Sequence, residues 1–296
     1  MKRFLLPIVA LSGVLLIAGC DASSSSGGSS SSNVSGTVTL NGSSALDPLV
    51  KGVTDDFQSQ FPQVTLQSTP TDSGTGVSQV AAGTVQIGMS DFPKSAVTGL
   101  QNADQLVDHQ VAVSGLEIIA HKDVTVDNLT GQQVHDIFAG KIINWKDVGG
   151  GDLKIVLVGR KASSGTRKAF DKLVMRGDAE LSGQAGVQEQ PSAGNLVTLV
   201  QNTPGAIGYV GFGDIKADFS AKQLSFEGIK PTNDNVIGGS YSLWFHEHMY
   251  TKGEATGATK AFLDYLTSDK VQNGDSFTKA KFIAISKVKG TSAADS

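Results

Sequence analysis

The sequence predicts an α/β fold with mostly parallel sheets, and three observations carry that expectation. Short apolar runs alternate with stretches of three-four apolar spacing along the whole body of the chain. Three turns rich in serine, threonine and glycine fall where a strand run gives way to a helical one. Glycine is abundant, 35 of 296 residues, and aromatics are few, as a chain of many tight turns requires.

Val38-Thr39-Leu40 predicts a short strand that ends at Asn41-Gly42-Ser43-Ser44. Leu46, Leu49, Val50, Val53, Phe57 and Phe61 then have the spacing of one buried helix face, with Pro48 in the first turn, where proline is tolerated. Val64-Thr65-Leu66 is the next strand. Ser73-Gly74-Thr75-Gly76 opens a short helix (Val77, Val80, Ala81) that stops at Gly83. Val85 to Met89 is a strand ending at Ser90-Asp91, and Val111 to Ala120 is a longer apolar strand that crosses between halves of the protein. Leu129 to Gly140 predicts a helix, followed by Ile143-Asn144-Trp145-Lys146-Asp147. Ile155 to Val158 is a strand leading to Arg160, and a helix carries Ala169, Phe170, Leu173 and Val174. Leu196 to Gln201 is a short helix, Ala206 to Val210 a strand, Tyr241 to Thr251 a long strand and Thr259 to Leu266 a helix.

The first twenty residues stand apart from the fold. Lys2 and Arg3 precede an apolar run from Phe4 to Ala18, too short and wrongly flanked for a stable membrane span, which reads as a secretory signal. Its end, Leu16-Ile17-Ala18-Gly19-Cys20, resembles a bacterial lipobox, in which the cysteine is acylated (palmitate) and becomes the new N-terminus. The bland alternative is an ordinary signal peptide with an incidental cysteine. Residues 21–36 are nearly all serine and glycine and predict a flexible tether. Cys20 is the sole cysteine, so with it lipidated no thiol is left for a disulfide or a nucleophile. Anchor, leash and body together predict extracytoplasmic display on the bacterial cell membrane.

Net charge is −4, and about −6 once Lys2 and Arg3 are removed, which argues against a nucleic-acid partner. Anion capture must then rest on aimed donors rather than a broad positive field. The stretch Arg160-Lys161-Ala162-Ser163-Ser164-Gly165-Thr166-Arg167 suits that task. The first amides of a helix lack partners within it and point out at its positive end. Hydroxyls add donors, glycine admits a ligand to the backbone, and Arg160 adds a planar charged fork. Ser44, Ser73 and Ser164 could each be plain helix N-caps, a use compatible with ligand donation. Asp91 could be a cap too. Its sharper reading is selection: a carboxylate accepts a hydrogen bond from an anion that keeps a proton, as phosphate does, and repels a proton-free one such as sulfate.

His246-Glu247-His248 could present two histidines to zinc, but with no third ligand at a telling spacing the expectation is an exposed strand face. Gly159 to Thr166 lacks the Gly-Lys-Ser/Thr ending of a nucleotide loop, and no Gly-x-Ser-x-Gly turn supports a hydrolase. Trp145 and Trp244 read as packing residues. No catalytic group, metal or cofactor is expected.

Taken together, these residues resemble the phosphate-binding proteins of bacterial high-affinity phosphate ABC transporters along nearly the whole body. The matching pieces are Gly42-Ser43-Ser44, Ser73 to Gly76, Gly88-Met89-Ser90-Asp91, Ile137 to Lys141 with Asn144-Trp145, Arg160 to Thr166, Gly205 to Tyr209, and Tyr250 to Gly253. The resemblance implies a two-lobed, periplasmic-binding-protein-like α/β fold with crossover strands and one phosphate held dry in the cleft. Lobe one would comprise 37–118 plus 238–290, and lobe two 119–237. Carried over by position, Ser44 and the amide of Ala45, Ser73 and Thr75, Asp91, Arg160, Ser164, Gly165 and Thr166 would hold the phosphate. The Ser73–Gly76 register is open by one residue, and Ala45 stands where many relatives carry a bulkier side chain. The implied partners are inorganic phosphate, a membrane permease and the membrane itself through the lipid, with the receptor a monomer. The competing functions are a receptor for sulfate or molybdate and an extracytoplasmic phosphohydrolase.

Overall fold

The computed structural model describes residues 33–178 and 187–295, which fall in one compact unit. The leader, Cys20 and the tether as far as Ser32 lie outside the described residues.

β1 (Gly36–Gly42) leads through α1 (Asp47–Gln60) to β2 (Val64–Pro70), and through α2 (Ser73–Ala82) to β3 (Ile87–Ser90). α1 buries Leu49, Val50, Val53 and Phe57, the single face that its spacing implies, and Pro48 lies in its first turn. α2 stops at Gly83, whose φ of 76° is a left-handed cap that an L side chain resists. β4 (Leu106–Ala120) is fifteen residues long and starts before the apolar run that announced it.

The second half holds β5 (Asn128–Leu129), α3 (Gly131–Phe138), β6 (Val156–Arg160) and α4 (Gly165–Phe170), the last continuing into a π-helical turn over Asp171–Met175. Then come β7 (Gln188–Gln190), α5 (Ala193–Asn202), β8 (Ala206–Gly211), β9 (Lys222–Phe226) and α6 (Asn233–Ile237). β10 (Trp244–Lys252), α7 (Gly257–Leu266), α8 (Asp269–Gln272) and α9 (Asp275–Lys279) finish the chain. Leu129 belongs to β5 and not to the helix that its spacing suggested, because Thr130 starts α3 with a capping box closed by Gln133. Trp145 opens a 3-10 turn and is fully buried, with its indole N–H donating to the Gly205 carbonyl at 2.9 Å.

The strands form one sheet in the order β2-β1-β3-β10-β4-β8-β6-β7, with β9 beside β4 and β5 beside β9. β1 pairs parallel with β2 and β3, β6 with β7 and β8, and β5 with β9. Every antiparallel pair involves β4 or β10. The expected parallel character therefore holds within each half and reverses where β4 and β10 connect the halves. The apolar core divides on these same two strands. Val38, Leu40, Phe57, Ile87, Ala112, Met249 and Phe262 belong to one cluster, and Val113, Leu116, Phe138, Phe170, Tyr209 and Phe245 to another. The architecture is a two-lobed α/β fold with two long shared strands. Phe170 stacks on Tyr209 at 4.0 Å and meets Phe138 edge-on at 4.7 Å, contacts worth about 0.5–1.5 kcal/mol each beyond their buried area. This stack seats α4 on the sheet.

Candidate anion-binding site

α1 and α2 start where the parallel strands β1 and β2 end, and α4 starts where β6 ends in the other half, running in the opposite direction. The second and third turns touch directly: the Gly74 amide donates to the Ser163 carbonyl at 3.0 Å. Gly165 packs against both Ser73 and Asp91. A Cβ on it would lie 2.2 Å from Ser73 Oγ and 2.8 Å from Asp91 Cβ, so glycine is demanded there by close approach. Asp91, just after β3, is 2 % exposed. Thr166 Oγ1 donates to its Oδ2 at 2.8 Å and Ser73 Oγ to its Oδ1 at 3.4 Å, while the Asp91 amide donates to Ser73 Oγ at 3.2 Å. Arg160, at the end of β6, is also 2 % exposed, and its Nη2 donates to the Pro191 carbonyl at 3.5 Å.

The plain-cap readings separate here. Ser164 does cap α4, accepting from the Arg167 amide at 3.4 Å, and is buried. Ser73 is not a cap, since Asp72 caps α2 by accepting from the Thr75 amide at 2.9 Å. Asp91 caps nothing; Pro93 precedes the next 3-10 turn. Ser44 is half-buried and accepts from the Ala193 amide at 3.5 Å. It is Ser43 that closes the α1 turn, accepting from the amides of Ala45 at 3.1 Å and Leu46 at 3.4 Å. The Ala45 amide is thus directed at Ser43 Oγ. Thr75 is the residue that stays outside the cluster: its hydroxyl donates to Asp72 at 3.0 Å, and it lines an open surface cleft of about 850 Å³.

The structure adds groups that the residue pattern left unmarked. The turn between β7 and α5, Pro191-Ser192-Ala193, is a fourth helix start facing the first one, with Ser192 as N-cap. Its strand is three residues long, too short to flag the junction. Asp214 is buried and accepts from the Gly211 amide at 3.1 Å. Burial pushes its carboxyl up to about 7, with Arg160 opposing and Asp91 adding to the rise. Glu247, fully buried on β10, lies against Asp91 and near Asp214, and burial followed by these negative neighbours holds it well above the usual carboxylate range.

The expectation of an exposed His246-Glu247-His248 face is overturned: all three are buried. β10 is an inner strand between β3 and β4, and the C-terminal residues cover the face that carries the histidines. His246 Nδ1 meets Asp295 at 2.5 Å and His248 Nδ1 meets Asp108 at 2.9 Å. Among the described residues no group of three or more candidate side chains could hold a metal ion.

The chain matches the family model of the PBP superfamily domain over residues 27–270. It is 43% identical to the phosphate-binding protein PstS of Bacillus subtilis, over 80% of this chain and 77% of that protein. A solved Clostridium perfringens structure, described as a phosphate ABC transporter substrate-binding protein with bound phosphate, is 31% identical with a TM-score of 0.77. The match covers 84% of this chain and all of that one. An ABC-type phosphate transport receptor from Vibrio cholerae is 28% identical with a TM-score of 0.65, over 83% of this chain and 99% of that one.

Proposed function

This chain belongs to the phosphate-binding protein family within the PBP superfamily, and we propose that it captures inorganic phosphate outside the cytoplasm for delivery to an ABC-transporter permease. The family is one of transport receptors, not enzymes. The observation that carries the reading is Asp91: a buried acceptor reached by hydroxyl donors from two helix starts, with a buried arginine in the same cluster. Such a constellation favours a protonated tetrahedral anion. Hydroxyls and helix-start amides donate to its bare oxygens, Arg160 balances its charge, and Asp91 accepts from its P–OH.

On this reading Ser44, Ser73, Arg160, Ser164, Gly165 and Thr166 surround the ligand together with Asp91, and the amide of Ala45 reaches it once released from Ser43. Thr75 serves α2 instead of the ligand. Residues 37–118 with 238–290 form one lobe and 119–237 the other; a division on β4 and β10 is supported by the change of core cluster, which falls a few residues inside those bounds, between Ala112 and Val113 and between Phe245 and Met249. Calorimetric titration of the body with phosphate, arsenate and sulfate tests the assignment. Binding of phosphate and arsenate with rejection of sulfate is expected; equal affinity for sulfate would sink it.

The proposed display at the cell surface rests on the leader and Cys20. No helix among the described residues is long and apolar enough to cross a membrane. The anchor is then a lipid on Cys20, and the receptor works as a monomer. Replacing Cys20 by Ala should release the protein from the membrane fraction or block its processing. Unchanged retention with normal processing would refute the lipid anchor.

A further inference from the structure

Resting on the phosphate-receptor reading, we propose that Glu247 is a positioning residue for anion capture: it stays a neutral acid and donates its proton to Asp91, fixing Asp91 as the acceptor for the ligand's own proton.

Glu247 sits opposite Ala112 of β4, beside a register shift between Glu247 and His248 that breaks the regular pairing of β10. Irregularities of this kind re-aim side chains next to sites. Its side chain is fully buried, and as an ion neither of its carboxyl oxygens has a hydrogen-bond partner. A bare carboxylate in that position is among the costliest groups a fold can hold. The acidic groups around it add to the cost, Asp91 after β3 and Asp214 after β8 most and Asp295, on the other face of β10, least. α2 packs there without a single charged residue, and β4 offers Ala112, Val113 and Ser114. His246 and His248 belong to the other face of β10, where Asp295 and Asp108 engage them. Arg160 is the cation near this set, and Asp214 already shares it.

One proton resolves the conflict. With Glu247 and Asp91 both ionised, neither has a hydrogen to give and they repel. With the proton on Glu247, its O–H donates to an Asp91 oxygen and its other oxygen becomes a neutral carbonyl, far cheaper to bury than a carboxylate. Asp91 keeps its negative charge and its remaining acceptor capacity, which is what recognition of a P–OH requires. Its orientation is then set from three sides, by Ser73, Thr166 and Glu247. Ionising Glu247 would add a second negative charge beside the bound anion and weaken it.

The test compares the full-length protein and Glu247→Gln, whose side-chain amide can donate to Asp91 at every pH. Phosphate and sulfate affinities are measured by calorimetry from about pH 6 to about pH 10. Above roughly pH 8 the second ionisation of phosphate is complete and one proton remains, so changes there belong to the protein. The expectation is that the wild type loses on the order of tenfold more phosphate affinity than Glu247→Gln as Glu247 ionises, the titrations of Asp214 and His248 being common to both proteins. The infrared carboxylic-acid absorption at neutral pH should also be weaker in Glu247→Gln than in the wild type, what remains belonging to the buried Asp214 and Glu117. Parallel pH profiles, or equal carboxylic-acid absorption in the two proteins, overturn the proposal while leaving the phosphate assignment intact. A wild type that binds neither anion overturns both.

Discussion

Asp91 shows how far a single residue can be read. Its type and its place after a strand pointed to a proton acceptor, and the structure adds burial and two hydroxyl partners. Asp91→Asn should therefore weaken discrimination between phosphate and sulfate more than it weakens folding. Asparagine can donate to a bare oxygen, and the charge that repels a proton-free dianion is gone. A hydrogen bond to a charged group is worth about 1.5–3 kcal/mol, so the selectivity ratio should fall on the order of tenfold to a hundredfold. Arg160→Ala should lower affinity for both anions. Paired dissociation constants for each variant decide, and an unchanged ratio in Asp91→Asn removes Asp91 from selectivity. Gly165→Ala is a different experiment. Ser73 Oγ can rotate away from the new methyl, but Asp91 Cβ at 2.8 Å cannot, so the start of α4 must move away from Asp91. Phosphate affinity should drop by at least about tenfold, roughly 1.4 kcal/mol, with the melting temperature little changed. Wild-type affinity would show that the start of α4 need not touch Asp91 in the complex. Glu247 escaped the residue pattern because a His-Glu-His alternation is the same whether a strand is exposed or buried on both faces.

At the scale of elements, periodicity exposed what was long and missed what was short. α1, α2 and the two long strands were legible because each repeats its apolar spacing over several turns or pleats. β7 and β9, with three and five residues, repeat nothing, and the fourth helix start was lost with β7. The C-terminal segment was also illegible, since its contacts are polar and distant in sequence. Asp295 there meets His246, and through it the chain end is tied to β10. Burial opposes charge on His248, but hydrogen bonds and charge from Asp108 and Asp295 outweigh it and raise the imidazole from 6.5 to about 9. Burial likewise disfavours the Asp295 carboxylate, yet both histidines outweigh it and hold it well below the usual carboxylate range. The signs follow by linkage. The histidine contribution is complete below 6.5 and is lost as pH rises through about 9. The aspartate contribution is present above 3.8 and is lost as pH falls through its depressed value. Asp295→Asn should thus lower stability by about 3 kcal/mol between those limits, the lower end of the cost of removing one partner of a buried pair. Thermal melts against pH should show the gap shrinking toward pH 9. A constant gap would assign the loss to packing instead.

For the whole molecule, the two-lobed plan was legible through the family resemblance, whereas the length of the chain is enough for either one large domain or two modest ones. The structure raises a problem of access that no residue pattern contains. Ser73, Asp91, Arg160, Ser164 and Thr166 are each at most 2 % exposed, so an anion cannot reach them while the lobes touch. Contacts such as Thr166 to Asp91 and Gly74 to Ser163 must part first. Polar contacts of this kind are worth about 1 kcal/mol each net, so a few of them hold the cleft shut only weakly. A bound phosphate takes donors from both sides and adds its binding energy to the closed state alone, which shifts the population toward closure. β4 and β10 are the elements that must flex, because the core changes over along them. Hinge closure about such strands predicts a smaller radius of gyration in small-angle scattering with saturating phosphate than without it. Sulfate at the same concentration should leave the curve unchanged. Identical curves with and without phosphate would mean that the ligand arrives through local opening of one turn, and the cleft shared by two moving lobes would have to be given up.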